Sequence, residues 1–244
     1  MEREFIDLCK NGNLETAKEL LRMYPNINIS ASNELAFRLT CYYGHLEVAK
    51  WLLSVKPDIN ISGLNEYAFH YACYNEKIDV AKWLLQVKPD INISVHKDYA
   101  FRHACDRGYL EMAKWLLSVK PDINISAENE HAFCYSCYYG HLEVVKWLLS
   151  VKPDINISVY TEWAFRIACV KGYLEIAKWL QSLKPYLYVI EYDDNGNYAG
   201  YRIRRKEEAN WEKRKYALHM SLQEKTNILY NLPIDIAKAV TLFV

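Results

Sequence analysis

From Leu46 to Val55 the apolar residues Leu46, Val48, Ala49, Trp51, Leu52, Leu53 and Val55 leave only Glu47, Lys50 and Ser54 polar. At helical spacing this is a helix buried on nearly every side and wet along one narrow stripe. Glu47 and Lys50 stand three apart on that stripe and can pair for roughly a few tenths of a kcal/mol. Upstream, Ala36, Phe37, Leu39, Thr40 and Cys41 make a shorter run that stops at Tyr43-Gly44, which predicts a brief helix with glycine as its C-terminal break. Pro57 disfavours the helical region for Lys56, so the second helix must end near Val55. Asp58-Ile59-Asn60-Ile61-Ser62 reads as extended and turn-forming, leading to the next first helix near Asn65-Glu66. The stretch from Asn33 to Leu64 is therefore helix, turn, helix, protruding loop.

The same pattern recurs. Cys9, Cys41, Cys73, Cys105, Cys137 and Cys169 lie 32 residues apart, and Pro25, Pro57, Pro89, Pro121, Pro153 and Pro185 keep the same step. Trp51, Trp83, Trp115, Trp147 and Trp179 hold the register too, as does the phrase AKWLLSVKPDINIS. A period in that range signals a solenoid, one supersecondary unit stacked on its copies. The ends differ as caps should: Glu19 takes the Trp51 position, Thr16 the Val48 position, and Gln181 replaces the equivalent of Leu53. Six helix pairs are predicted over residues 1–185.

Beyond Pro185 the period is lost, and residues 186–244 form a second region. Tyr186 to Tyr192 and Tyr198 to Arg204 are β-prone and flank Asp194-Asn195-Gly196, a hairpin signal. A polar, helix-prone segment follows from Arg205 to about Met220. Leu232-Pro233-Ile234-Asp235-Ile236, with Val240 and Phe243 behind it, reads as a short amphipathic helix opened by proline. A lone hairpin is marginal, so this tail is expected to pack on the sixth repeat. The fold class is mostly α, with a small C-terminal α+β cap.

Composition narrows the functions. Of 244 residues, 51% are hydrophobic and 25% charged, with few Gly and Pro, which is enough apolar surface to fold. Lysine plus arginine equals aspartate plus glutamate at 30 each, removing the broad electrostatic footprint of nucleic-acid or membrane-surface binding. The start, MEREFIDLCK, has no apolar run of signal-peptide type, and no stretch approaches a membrane span. Stacked helices lie about 8 to 10 Å apart, too far for disulfides along the cysteine ladder. Buried, reduced thiols fit an intracellular, cytoplasmic setting.

GHLEVAKWLLSVKPDIN, with its Gly-His, paired Leu-Leu and Asp-x-Asn, resembles the second helix and loop of an ankyrin repeat, from Met1 to about Pro185. The wording AKWLLSVKPDINIS is similar to ankyrin proteins of giant DNA viruses, which would place the chain in a host cell. The family's Thr-Pro-Leu-His is replaced by Leu35-Ala36-Phe37-Arg38, Lys-Pro stands for the Gly before Asp, and the unit is one residue short of the usual 33. A shortened loop finger is expected. The resemblance implies a protein-binding array with a concave contact face. Leu232, Pro233, Asp235 and Ile236 resemble the opening of an F-box helix, as in poxvirus ankyrin proteins. That implies an alternative function as a substrate adaptor contacting a Skp1-like partner of a ubiquitin ligase.

Positions that stay fixed between copies are structural, and those that vary are open to function. The pairs just before each glycine position vary strongly: Tyr42-Tyr43, Tyr74-Asn75, Asp106-Arg107, Tyr138-Tyr139 and Val170-Lys171. By resemblance they lie on the concave face, and tyrosine suits partner contact. A second varying row, Leu35, Tyr67, Tyr99, His131 and Trp163, opens each first helix. Cys134 and Cys137 form a C-x-x-C, read as structural because Cys137 belongs to the ladder and no second pair accompanies it. His45 and His141 are expected to cap helices and link repeats. The basic cluster Arg202, Arg204, Arg205, Lys206, Lys213, Arg214 and Lys215 is broken by Glu207, Glu208 and Glu212, as on a solvated face. No phosphate loop, nucleophile elbow or metal-ligand pairing occurs, so neither an enzyme nor a metal or other cofactor is expected.

Overall fold

In the computed structural model, residues 1–205 and 207–215 are described. The helices come in pairs: α1 (Glu2–Lys10) with α2 (Leu14–Met23), α3 (Ala31–Tyr43) with α4 (Leu46–Val55), and α5 (Gly63–Tyr74) with α6 (Ile78–Val87). Then come α7 (Val95–Asp106) with α8 (Leu110–Val119), α9 (Ala127–Tyr139) with α10 (Leu142–Val151), and α11 (Val159–Val170) with α12 (Leu174–Leu183). Two compact units emerge, Met1–Ala164 and a second starting at Phe165, with the boundary inside α11.

Within the first unit each first helix packs on the next, α1 on α3, α3 on α5, α5 on α7 and α7 on α9. Alanine at the contact lets the helices approach, and phenylalanine and cysteine fill the layer: Ala36, Phe37 and Cys41, like their counterparts 32 and 64 residues on, are fully buried. Each phenylalanine meets the tryptophan of the following repeat, Phe5 with Trp51, Phe37 with Trp83, Phe69 with Trp115 and Phe101 with Trp147, at centroid separations of 6.0, 6.3, 6.3 and 6.1 Å. Such pairs contribute about 0.5–1.5 kcal/mol beyond the burial of their area. In the first pair Glu19 stands at the tryptophan position and is exposed, as a cap requires. The predicted Glu47–Lys50 pair forms at 2.8 Å. Val55 is exposed, unlike the rest of its apolar set, because it lies about 80° round the helix from Glu47, at the edge of the wet stripe.

Gly44 ends α3 in the left-handed conformation at φ 87°, and the His45 N–H closes the turn on the Thr40 carbonyl at 3.0 Å. Between repeats, the chain makes two tight turns and not a protruding finger. Ile59 and Ile61 point inward and are buried, and their equivalents Ile91, Ile93, Ile123 and Ile125 do the same.

The entry to each first helix was not foreseen. Ser32, Asn33 and Glu34 form a left-handed turn with φ between 54° and 61°, repeated at Leu64–Glu66, His96–Asp98, Glu128–Glu130 and Tyr160–Glu162. Left-handed residues other than glycine cost about 1–2 kcal/mol each, so the surroundings must hold them. Arg38 donates from Nε to the Asn33 carbonyl at 2.7 Å and from Nη2 to the Ser32 carbonyl at 3.0 Å. Arg102 does the same to Lys97 and His96, both at 2.9 Å. The acid closing the turn binds the next loop: Glu66, Asp98 and Glu130 accept the N–H groups of Asn92, Asn124 and Asn156 at 3.4, 3.2 and 3.2 Å.

In the second unit the hairpin forms as expected, β1 (Tyr188–Tyr192) antiparallel to β2 (Tyr198–Ile203), with a bulge at Glu191/Tyr192. Tyr188 stacks on Phe165 at 4.1 Å, the place a following repeat's tryptophan would take. The Tyr198 hydroxyl donates to the Cys169 carbonyl at 3.3 Å, as the Thr40 and Ser136 hydroxyls donate to Cys9 and Cys105 at 3.3 and 3.1 Å. Gln181, the departure noted in the last pair, donates to the Tyr188 carbonyl at 3.2 Å. The hairpin thus supplies the contacts of an absent seventh repeat. Arg202 pairs with Glu208 at 2.7 Å and Glu191 at 3.4 Å, and residues 207–215 are helical. Leu232, Pro233, Asp235 and Ile236 lie outside the described residues.

Candidate binding face

Positions 67, 71 and 74 are four and three residues apart on α5, so Tyr67, Tyr71 and Tyr74 share one side of the helix. The same side of α7 carries Tyr99, His103 and Asp106, and that of α9 carries His131, Tyr135 and Tyr138. Stacking the helices converts these triplets into one stripe. Tyr42 meets Tyr71 at 5.6 Å, Tyr71 meets Tyr67 at 4.0 Å and Tyr74 at 5.8 Å. Tyr74 meets His103 at 5.5 Å, which stands 4.0 Å from Tyr99 and 6.1 Å from His131. His131 stacks on Tyr135 at 4.2 Å, and Trp163 closes the row 5.8 Å from Tyr135 and nearly parallel to Tyr138 at 5.9 Å. All of these residues belong to the first unit.

The two rows expected from sequence variation are therefore joined by a third that the sequence reading missed: Tyr71, His103 and Tyr135. Its signal was present, since position 39 of the repeat runs Leu39, Tyr71, His103, Tyr135 and Ile167 and sits one turn after the row that opens each first helix. Tyr43, Tyr135 and Tyr139 are the most open rings, at 42, 38 and 50% exposure, while Tyr42, Tyr74 and Tyr138 are half-buried. Asn75 does not join the stripe. It ends α5, with its Nδ2 donating to the Tyr71 carbonyl at 2.9 Å. Lys171 is exposed in the second unit.

Cations repeatedly lie on these rings. Arg38 sits over Tyr67 at 4.7 Å, Lys10 over Tyr43 at 5.6 Å, and Arg107 over Tyr74 at 4.4 Å, where it also donates to the Tyr74 hydroxyl. Asp106 is buried, with His103 Nδ1 3.3 Å from Oδ2 and His131 Nδ1 3.4 Å from Oδ1. Burial holds the His103 imidazole below its usual range, with Asp106 opposing. Burial likewise raises the Tyr67 and Tyr99 hydroxyls.

His45 and His141 link repeats by packing, not by capping: neither makes a side-chain cap bond, and their rings press against Gly12 and Gly108. Cys134 and Cys137 are buried among the helices, and burial pushes the Cys134 thiol up to about 12 and raises that of Cys137 well above its usual range. Cys134 occupies the position of Arg38 and Arg102, which explains its place off the ladder.

The sequence profile described as Ankyrin repeats (3 copies) matches residues 5–96 and again 101–190, well over half of the chain. The crystal structure of the human ASB11 ankyrin repeat domain is similar in fold, with a TM-score of 0.56 at 19% identity over 80% of this chain and 88% of that one. Among curated proteins no sequence match is found. With its paired helices, its period and both profile matches agreeing, the chain belongs to the ankyrin-repeat family.

Proposed function

We propose that the chain binds a protein partner through the aromatic stripe running from Tyr42 and Tyr43 to Trp163. The observation that carries this reading is a connected row of tyrosine, histidine and tryptophan rings on the side of the first helices away from the Ala-Phe-Cys core. Tyr43, Tyr135 and Tyr139 are the open rings of that row, and such side chains offer large contact area with polar tips at low entropy cost. Family resemblance supports reading this side as the concave face. Seven buried thiols support an intracellular setting.

The test replaces Tyr43, Tyr135 and Tyr139 together by Ala. Capture of partner from cell extract, identified by mass spectrometry, should fall at least tenfold while the melting temperature stays within a few degrees. Undiminished capture would overturn the assignment. The adaptor reading has the phrase Leu232-Pro233-Ile234-Asp235-Ile236 behind it; co-purification of a Skp1-like protein with the full chain but not with a Leu232→Ala, Ile236→Ala variant is its test.

A further inference from the structure

From the second repeat onward the stripe is aromatic or aliphatic at almost every position, and its three departures from that pattern converge. From the second repeat to the sixth, position 42 is Tyr42, Tyr74, Tyr138 or Val170, and aspartate only at Asp106. Position 39 is histidine only at His103, and position 35 only at His131. These three side chains line one cavity of about 640 Å³ together with Tyr74, Arg107, Tyr135 and Tyr139. Asp106 is 5% exposed, and among the described residues its Oδ1 has no hydrogen-bond partner, the His131 Nδ1 standing 3.4 Å away. A buried carboxylate left short of partners is costly unless something else completes it.

An anion would meet that carboxylate, whereas a cation would gain both the charge and the π faces of the lining rings. Arg107, itself part of the lining, demonstrates the second half of this chemistry, because its guanidinium rests on the Tyr74 ring. We propose that this cavity receives a lysine or arginine side chain of the bound protein, with Asp106 as its counter-ion and the Tyr74 and Tyr135 rings as its walls. The proposal rests on the stripe being the partner-binding face and adds the chemistry of one anchoring residue. A single cationic anchor in a desolvated aromatic pocket is the kind of contact that dominates an interface.

Titration of the full chain, followed by ¹⁵N–¹H NMR, uses four probes: the Nα-acetyl amides of arginine, lysine, citrulline and glutamate. The arginine or lysine probe should shift the amides of residues 103–107 and 131–139 saturably, with citrulline and glutamate leaving them in place. Asp106→Asn should weaken that binding at least tenfold. Asp106→Tyr, which installs the residue used by three other repeats, should abolish it with the fold kept. Equal binding of citrulline, tighter binding of glutamate, no saturable shift with either cation, or an unchanged Asp106→Asn titration each overturns the proposal. The two readings fail separately. Partner capture that survives Asp106→Asn, with no response to the cationic probes, removes the pocket and leaves the stripe; capture that survives the triple tyrosine variant removes the stripe, whatever the probes do.

Discussion

His70 occupies the place held by Arg38 and Arg102 in neighbouring repeats, and replacing it by arginine should both strengthen the fold and remove an acid weakness. The imidazole is 4% exposed, and among the described residues neither ring nitrogen meets a hydrogen-bond partner. Burial, aided by the nearby charge of His96, pushes it down to about 4. Its folded value lies below the unfolded one of about 6.5, so between those limits the unfolded chain takes up a proton that the folded chain refuses. Stability is whole above pH 6.5 and falls as pH drops, by about 1.4 kcal/mol per unit and roughly 3 kcal/mol in all by pH 4. In His70→Arg the side chain should donate from Nε to the Asn65 carbonyl and from Nη2 to the Leu64 carbonyl, by analogy with the paired bonds of Arg38 and Arg102. Charge-assisted bonds to a strained turn, offset by burial of the charge, give a net gain of about 1 kcal/mol at pH 7. Urea denaturation followed by far-ultraviolet circular dichroism at pH 7 and 4.5 reads both effects. His70→Cys separates them, because Cys134 fills the same place without titrating or bonding the turn. Parallel acid losses in wild type, His70→Cys and His70→Arg would refute the reasoning.

Three more outcomes follow from the same geometry. Gly108→Ala places a methyl carbon 2.5 Å from His141 Nδ1 at a φ of +78°, so denaturant melts should show a loss of about 2 kcal/mol, partly recovered by His141→Ala in a double-mutant cycle. Thr161 is β-branched at φ 58°, and Thr161→Asn should raise stability by about 0.5–1 kcal/mol in the same assay. Native protein at pH 8 should leave Cys134 unlabelled by a thiol reagent over hours, since a thiol near 12 is ionised in only about one molecule in ten thousand; labelling at the rate of a model thiol would contradict its burial.

Local signals in the chain settled the six helix pairs, the turn at Gly44, the stop before Pro57 and the hairpin around Asn195-Gly196. These depend on local rules: apolar spacing, glycine at a left-handed position, proline's effect on its neighbour. The left-handed turns escaped, because nothing in Ser32-Asn33-Glu34 favours three consecutive positive φ angles. They are held by Arg38 from within the repeat and by carboxylate bonds to loops 26 residues away, as between Glu66 and Asn92. The candidate face divides the same way. Variation between copies marked Tyr42, Tyr74, Tyr99 and His131, since a position free of the core is free to change. That Tyr71, His103 and Tyr135 join those rows, and that Asp106 is buried between two histidines, arises only when helices 32 residues apart in sequence lie side by side and desolvate one another.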